Sequence, residues 1–258
     1  MVPHVMRANL RVHVSPVGFD PAERVAGPLL ELRADKVYLV SKSKADAAAD
    51  KRRQVHQTLA KHPHIEVVDA YADIFDLFGC LEEYRRIFEL EKGNHVHVNV
   101  STGSKIVSIA GMIACMLWKG TPYYARLDYE ESGPSVAPEK RKVTATDFLP
   151  VYQITMPKTE SLQVLSIISN AQSERITKKE LIEELQALKL MPAYQPSQTR
   201  SAPHSRLRAI LDPLEKEWHF IEVRARGRKS EVALTEQGKS ALRIFGEGTL
   251  ARLDRANV

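Results

Sequence analysis

The feature that most constrains the fold of this chain is the stretch His95-Val-His-Val-Asn-Val-Ser-Thr-Gly-Ser-Lys105, followed at once by an apolar run over residues 106–118. The alternating valines predict a buried strand, and the run after Lys105 predicts a helix. Asn99, Ser101, Thr102, Gly103, Ser104 and Lys105 fall where one becomes the other. A strand-to-helix turn of small residues points backbone N–H groups outward, and the helix that follows adds the positive end of its dipole. With one lysine beside them, such a turn suits a phosphate. The same residues also fit an ordinary junction capped by Ser101 and Thr102. The spacing is neither the Walker nor the dinucleotide fingerprint, so the turn alone leaves both readings open.

Residues 1–155 alternate strands and helices. Strands are expected at 10–14, 36–40, 64–68, 95–99 and 123–127. Helices are expected at 21–32 (Asp20 as its cap, Pro21 at its first position), 46–61, 73–91 and 106–118. This rhythm predicts an α/β, Rossmann-like parallel sheet with helices on both faces. Ligands of such sheets collect at the carboxyl ends of the strands, near the point where strand order reverses. Residues 130–146, with Gly133, two prolines and Glu139-Lys-Arg-Lys142, break the rhythm before a last strand expected at 149–154. Met156-Pro-Lys-Thr159 reads as a linker, dividing the chain into domains 1–155 and 156–258.

The second domain has another character. A helix is expected at 161–170, and Thr177-Lys-Lys-Glu180 is a capping box that opens a second one. Residues 201–217 form a third helix, with Leu207, Ile210, Leu211 and Leu214 as its apolar stripe. Strands at 220–224 and 231–234 flank a basic turn, Ala225-Arg-Gly-Arg228, and a helix begins near Thr235. Three helices and a basic-tipped hairpin are the winged helix-turn-helix plan, in which the third helix enters a major groove and the wing touches backbone or minor groove. The candidate DNA contacts are Arg200, Ser201, His204, Ser205 and Arg208 on or beside the third helix, and Arg224, Arg226, Arg228 and Lys229 in the wing. A solvated helix face is the alternative for the first group; the nearby wing weighs against it.

Charge supports that division. The net charge of +5 is uneven: residues 1–150 carry 20 Lys and Arg against 19 Asp and Glu, and residues 151–258 carry 17 against 13. An anionic partner is therefore expected for the second domain only. No apolar run is long enough to span a membrane, the N-terminus lacks the order of a signal peptide, and Cys80 and Cys115 sit alone in helical patterns. These point to a cytoplasmic protein with buried thiols. His95 and His97 have no partner at metal-ligand spacing and read as structural. There is no Gly-x-Ser-x-Gly, His-Glu-x-x-His or Gly-x-Gly-x-x-Gly, so no catalytic set, cofactor or metal is expected.

The first strand leads into Ser15-Pro-Val-Gly-Phe19. Gly18 permits a tight turn and close backbone approach to a ligand; packing at the sheet end is the favoured fate of Phe19, stacking on a base the other. Ser41-Lys-Ser-Lys44 ends the second strand and reads as a solvated loop, or as a lysine offered to an anion.

Two motifs, Val14-Ser-Pro-Val-Gly-Phe19 and Asn99-Val-Ser-Thr-Gly-Ser-Lys105, together with the winged helix, resemble the CRISPR-associated Rossmann fold (CARF) proteins that carry a C-terminal winged helix-turn-helix. The second motif is similar to the family's Asn-x-(Ser/Thr)-Gly-Gly-Thr-Lys turn, with a shorter spacing and Ser104 in place of a glycine. The resemblance implies a homodimer whose paired sheet ends form one pocket for a cyclic oligoadenylate or related nucleotide. It implies ligand contacts at Pro16, Val17, Gly18, Phe19, Ser101, Thr102, Gly103, Ser104 and Lys105. The expected function is a ligand-responsive transcriptional regulator binding a palindromic double-stranded DNA site. The alternatives are a ring nuclease that cleaves the cyclic ligand and a winged-helix scaffold that binds protein.

Overall fold

A computed structural model of the chain describes residues 9–128, 141–192, 202–226 and 229–246. The chain divides into two compact units, Met1–Thr155 and Met156–Val258.

In the first unit β1 (Arg11–Pro16), β2 (Lys36–Ser41), β3 (Glu66–Tyr71), β4 (His95–Asn99), β5 (Thr121–Leu127) and β6 (Val143–Phe148) form one sheet in the order β3-β2-β1-β4-β5-β6. Between them lie α1 (Glu23–Glu31), α2 (Ala49–Leu59), α3 (Leu77–Leu90) and α4 (Lys105–Trp118). The first five strands pair in parallel. The chain winds outward from β1 through β2 to β3, then returns to place β4 on the other side of β1. Strand order therefore reverses between β1 and β4, whose carboxyl ends carry the two motifs.

Two expectations are corrected here. The sheet is not wholly parallel, because β6 runs antiparallel to β5. That last strand is Val143–Phe148 and not 149–154. β6 is an edge strand with every residue at least partly exposed. It therefore lacks the apolar alternation that a half-buried strand writes into sequence. Among its ties are the register Tyr123 opposite Phe148 and an Arg126–Asp147 ion pair at 2.6 Å.

The two faces of the sheet are set by the pleat. His13 and Ser15 lie in register with Val37 and Leu39, on the face where Val25 and Leu29 of α1 pack with Val55 and Leu59 of α2. Fully burying such a side chain stabilises the fold by roughly 1.5–3 kcal/mol. Val12, Val14, Val96 and Val98 point to the other face. There Gly111 brings α4 against Val98 and Val100, and the Tyr84 hydroxyl of α3 donates to the Val107 carbonyl at 3.3 Å. The Asp76 side chain caps α3 by accepting from Gly79 N–H at 2.9 Å.

The second unit comprises α5 (Thr159–Asn170), a 3-10 turn (Gln172–Glu174), β7 (Arg175–Thr177), α6 (Lys178–Ala187), α7 (Ala202–Lys216), β8 (Ile221–Arg226), β9 (Lys229–Leu234) and α8 (Glu236–Phe245). The capping box at the start of α6 is present: Thr177 Oγ1 accepts from Glu180 N–H at 3.2 Å, and Thr177 N–H donates to the Glu180 carboxylate at 2.9 Å. The short β7 was not legible in the sequence; it pairs with β9 and makes a three-stranded sheet, β7-β9-β8. The wing ladder runs further than expected, to Ala225 opposite Ser230 and Arg226 opposite Lys229. One cluster unites Leu165, Ile168, Leu181, Leu207, Leu211 and Val232. The stripe expected on the third helix is thus its core face.

Candidate functional site

The two motif turns touch backbone to backbone. A Cβ added to Gly18 would lie 2.8 Å from the Gly103 Cα, and one added to Gly103 would lie 2.9 Å from the Pro16 Cβ. Gly103 also sits at φ 81°, a left-handed conformation that suits glycine. The close approach that Gly18 makes in the fold is to the backbone of Gly103.

Hydrogen bonds lock this double turn. The Asn99 side chain is fully buried; its Oδ1 accepts from Ser101 N–H at 2.9 Å and from Ser101 Oγ at 2.5 Å, and its Nδ2 donates to the Arg24 carbonyl at 3.1 Å. Thr102 Oγ1 donates to the Pro16 carbonyl at 2.7 Å. Ser104 caps α4, accepting from Val107 N–H at 3.1 Å while its hydroxyl donates to the Ile74 carbonyl. The cap is thus Ser104, where the sequence offered Ser101 and Thr102. Val17 is buried in the α1–α2 cluster and its N–H donates to the Val40 carbonyl at 2.8 Å.

Five expected ligand residues are at least partly exposed. Lys105, the first residue of α4, and Phe19 are exposed, and Ser101, Gly103 and Ser104 are partly so. Phe19 is 74% exposed, which corrects the expectation that it packs at the sheet end. The reason is that Val17 already fills that position. Phe75, from the loop after β3, is also exposed, and the Lys42 ammonium lies 5.6 Å from its ring centroid and 3.5 Å from the Asp73 carboxylate. Arg52 holds the Lys42 loop, donating to Ser41 Oγ at 2.6 Å and to the Ser43 carbonyl at 2.8 Å.

Asp20 is a further correction. Its side chain does not cap α1, whose first turn follows Ala22 without a side-chain cap. Its Oδ2 instead accepts from Gly103 N–H at 2.9 Å, and Oδ1 lies 3.6 Å from the Arg24 guanidinium. Sequence distance hid this contact; an acid two residues after a glycine turn was its one signal.

Deeper on the α1–α2 face, His13 stacks on His97 with ring centroids 4.9 Å apart, and its Nδ1 lies 3.4 Å from the Tyr123 hydroxyl. His95 is exposed. His13 was the partner the sequence reading missed. Burial pushes the His13 imidazole down to about 3, with His97 and Arg11 adding to the effect, and burial also lowers His97. A base held neutral by folding contributes stability above its unfolded value near 6.5, and that contribution is lost as pH falls from there toward the folded value. The full chain is therefore expected to lose ~2 kcal/mol from His13 between pH 7 and pH 5. The His13→Val variant is expected to lose less over the same range. Calorimetric unfolding at the two pH values checks this, and an equal acid loss in both proteins would refute it. Among the described residues no group of three or more His, Cys, Asp or Glu could hold a metal ion. No helix there is long and apolar enough to cross a membrane.

In the second unit His204, Ser205 and Arg208 are exposed on α7, as is Arg206. Arg208 pairs with Asp212 at 3.4 Å, Lys216 meets the same carboxylate at 3.3 Å, and the two cations lower the Asp212 pKa. A groove of about 470 Å³ beside α7 gathers Lys178, His204, Arg208 and Lys216 with Asp212 and Glu215. Arg224 of the wing is exposed and pairs with Glu222 at 2.8 Å. Arg226 stands opposite Lys229 in the backbone register of the ladder. Arg200, Ser201 and Arg228 lie outside the described residues.

Comparison with known proteins agrees with this two-part architecture. Residues 11–129 match the family described as HFX_2341_N-like, N-terminal, and residues 160–246 match the DUF6293 C-terminal winged helix domain. The chain is thus an α/β, Rossmann-like N-terminal domain joined to a C-terminal winged helix domain. A curated relative, the uncharacterized protein MJ1513 of Methanocaldococcus jannaschii, is 25% identical over 201 residues, covering 66% of this chain and 59% of that protein. The chain therefore spans about three-fifths of that relative's length.

Similar solved structures include Can2 from Sulfobacillus thermosulfidooxidans in complex with cyclic tetra-adenylate (12% identity, TM-score 0.39, 94% of this chain and 65% of that one). Another is Enterococcus italicus Csm6 bound to cyclic hexa-2'-fluoro-hexa-dAMP (10% identity, TM-score 0.40, 81% and 56%). A third is protein VC1899 from Vibrio cholerae (13% identity, TM-score 0.39, 95% and 67%).

Proposed function

We propose that this chain is a ligand-responsive DNA-binding regulator whose N-terminal unit binds a cyclic oligoadenylate or a related nucleotide and whose winged helix binds double-stranded DNA. The observation that carries the reading is the meeting of the Gly18 and Gly103 turns at the reversal of strand order between β1 and β4. That crevice is where open parallel sheets bind nucleotides. The α4 N-terminus and exposed Lys105 supply positive charge for a phosphate, and exposed Phe19 supplies a face for a base.

A homodimer is part of the proposal. Ile106, Ile109, Met112, Ile113 and Met116 recur at helical spacing on α4 and are all at least partly exposed, with Ile109 at 51%. A second copy packed on that stripe would bury it and set two winged helices on the half-sites of a palindrome. Ligand would then act by binding one arrangement of the dimer more tightly than the other.

Thermal unfolding of the full chain with cyclic di-, tri-, tetra- and hexa-adenylate tests the ligand. One of them is expected to stabilise the protein by about 2.7 kcal/mol when present at 100 times its Kd, and Lys105→Ala is expected to weaken that ligand about tenfold. Undiminished affinity in the variant would remove Lys105 from the site. For DNA, replacing Arg226 and Arg228 by alanine is expected to weaken binding across sequences and to flatten the salt dependence by roughly one to two contacts' worth. Linear products from the cyclic ligand would make the protein a ring nuclease. Failure to retain any DNA at low salt would favour the protein-binding scaffold.

A further inference from the structure

We infer that Asp20 makes this pocket read a sugar hydroxyl, selecting a ribonucleotide over its deoxy counterpart; the inference rests on the nucleotide site proposed above. Asp20 does not cap the helix it precedes; its tie to α1 is the guanidinium of Arg24, four residues on. Asp20 is held from behind on both oxygens. Oδ2 accepts from Gly103 N–H at 2.9 Å and Oδ1 lies 3.6 Å from Arg24 Nη1. Arg24 is in turn fixed, being buried, donating through Nε to the Ala125 carbonyl at 2.9 Å and lying 4.9 Å from the Tyr124 ring centroid. With its oxygens so placed, the Asp20 side chain remains 24% exposed beside the turn.

The charge of this group divides the turn into two ends. A carboxylate accepts only, and its two oxygens have about four lone-pair sites. Gly103 N–H and Arg24 account for part of that capacity, and the exposed remainder calls for a donor. A phosphate oxygen has no proton to give at neutral pH and is repelled by the like charge. A hydroxyl donates, and a hydrogen bond to an ionised acceptor is about twice as strong as a neutral one. The Gly103 end of the turn is therefore suited to a hydroxyl, and the Lys105 end to a phosphate. A ribose and its phosphate present those two groups side by side, as the turn presents Gly103 and Lys105. An acid accepting from ribose hydroxyls beside a glycine turn is the same division of labour that dinucleotide sites use.

Calorimetric titration of the full chain with cyclic tri-, tetra- and hexa-adenylate, each beside its 2′-deoxy analogue, tests the inference. The ribo form is expected to bind at least about tenfold more tightly. Asp20→Asn keeps an oxygen for Gly103 N–H but offers the sugar an amide in place of a charged acceptor. It is expected to weaken the ribo form about tenfold and leave the deoxy form nearly unchanged. Equal affinity of the native chain for both forms overturns the inference without any variant being made. So does discrimination that survives intact in a folded Asp20→Asn protein. Binding of none of the ring sizes by the native chain refutes the nucleotide site itself, and the hydroxyl reading with it.

Discussion

Gly238→Ala is expected to destabilise the C-terminal unit by about 3 kcal/mol or more. A Cβ at this position would lie 2.0 Å from the Phe220 carbonyl oxygen and 2.9 Å from its carbon. The carbonyl cannot retreat cheaply. It accepts from Thr235 N–H at 3.0 Å, while Phe220 N–H donates to the Leu214 carbonyl at 2.8 Å. The helix cannot easily retreat either. Gly238 N–H donates to Thr235 Oγ1 at 3.1 Å as the cap of α8, and Thr235 Oγ1 donates to the His219 carbonyl at 2.6 Å. One methyl group therefore strikes the junction that ties α7, β8 and α8 together. In a unit of this size such a loss lowers the melting temperature by roughly 10–20 °C. Thermal unfolding of the full chain, followed beside DNA binding, reads the effect. A transition within 2 °C of the native one, a shift that corresponds to less than about 0.5 kcal/mol, would show that the junction yields and that this contact does not set the unit's stability.

Gly18→Ala is expected to cost the N-terminal unit about 1–3 kcal/mol and to abolish the response to nucleotide. The obstructing atom is the Gly103 Cα, which is backbone and has no side chain to swing aside. Parting the two turns strains the Thr102–Pro16 and Gly103–Asp20 hydrogen bonds together. It also moves both halves of the proposed pocket. Because the effect is read first as stability, the outcome is informative before any ligand is known. An unchanged melting temperature with an unchanged nucleotide shift would refute the view that the two turns form one rigid site.

Much of this architecture is written locally. Strand–helix alternation in the first unit and the positions of both motifs are carried by apolar periodicity and by glycine placement. Thr177 and Glu180 specify their capping box from three residues apart, because the bonds they make are to their own turn. The Leu207, Leu211, Leu214 stripe is equally local, since helical spacing alone puts those side chains on one face. What failed were residues whose partners are distant. Phe19 reads as core because it follows a buried strand, yet Val17 takes that place. Asp20 reads as a helix cap, yet its partner is Gly103. β6 carries no alternation because an edge strand with two half-exposed faces has no reason to encode one.

By itself, then, the sequence determined most of the elements and their order, β6 and β7 excepted, and which two turns carry small and phosphate-compatible residues. The tertiary structure alone decided that β4 lies beside β1, which brings Gly18 against Gly103 and stacks His13 on His97. The physical reason is range. Propensity, capping and pleat act over a few residues, whereas strand order follows from which buried faces and backbone hydrogen bonds can all be satisfied at once across the whole chain.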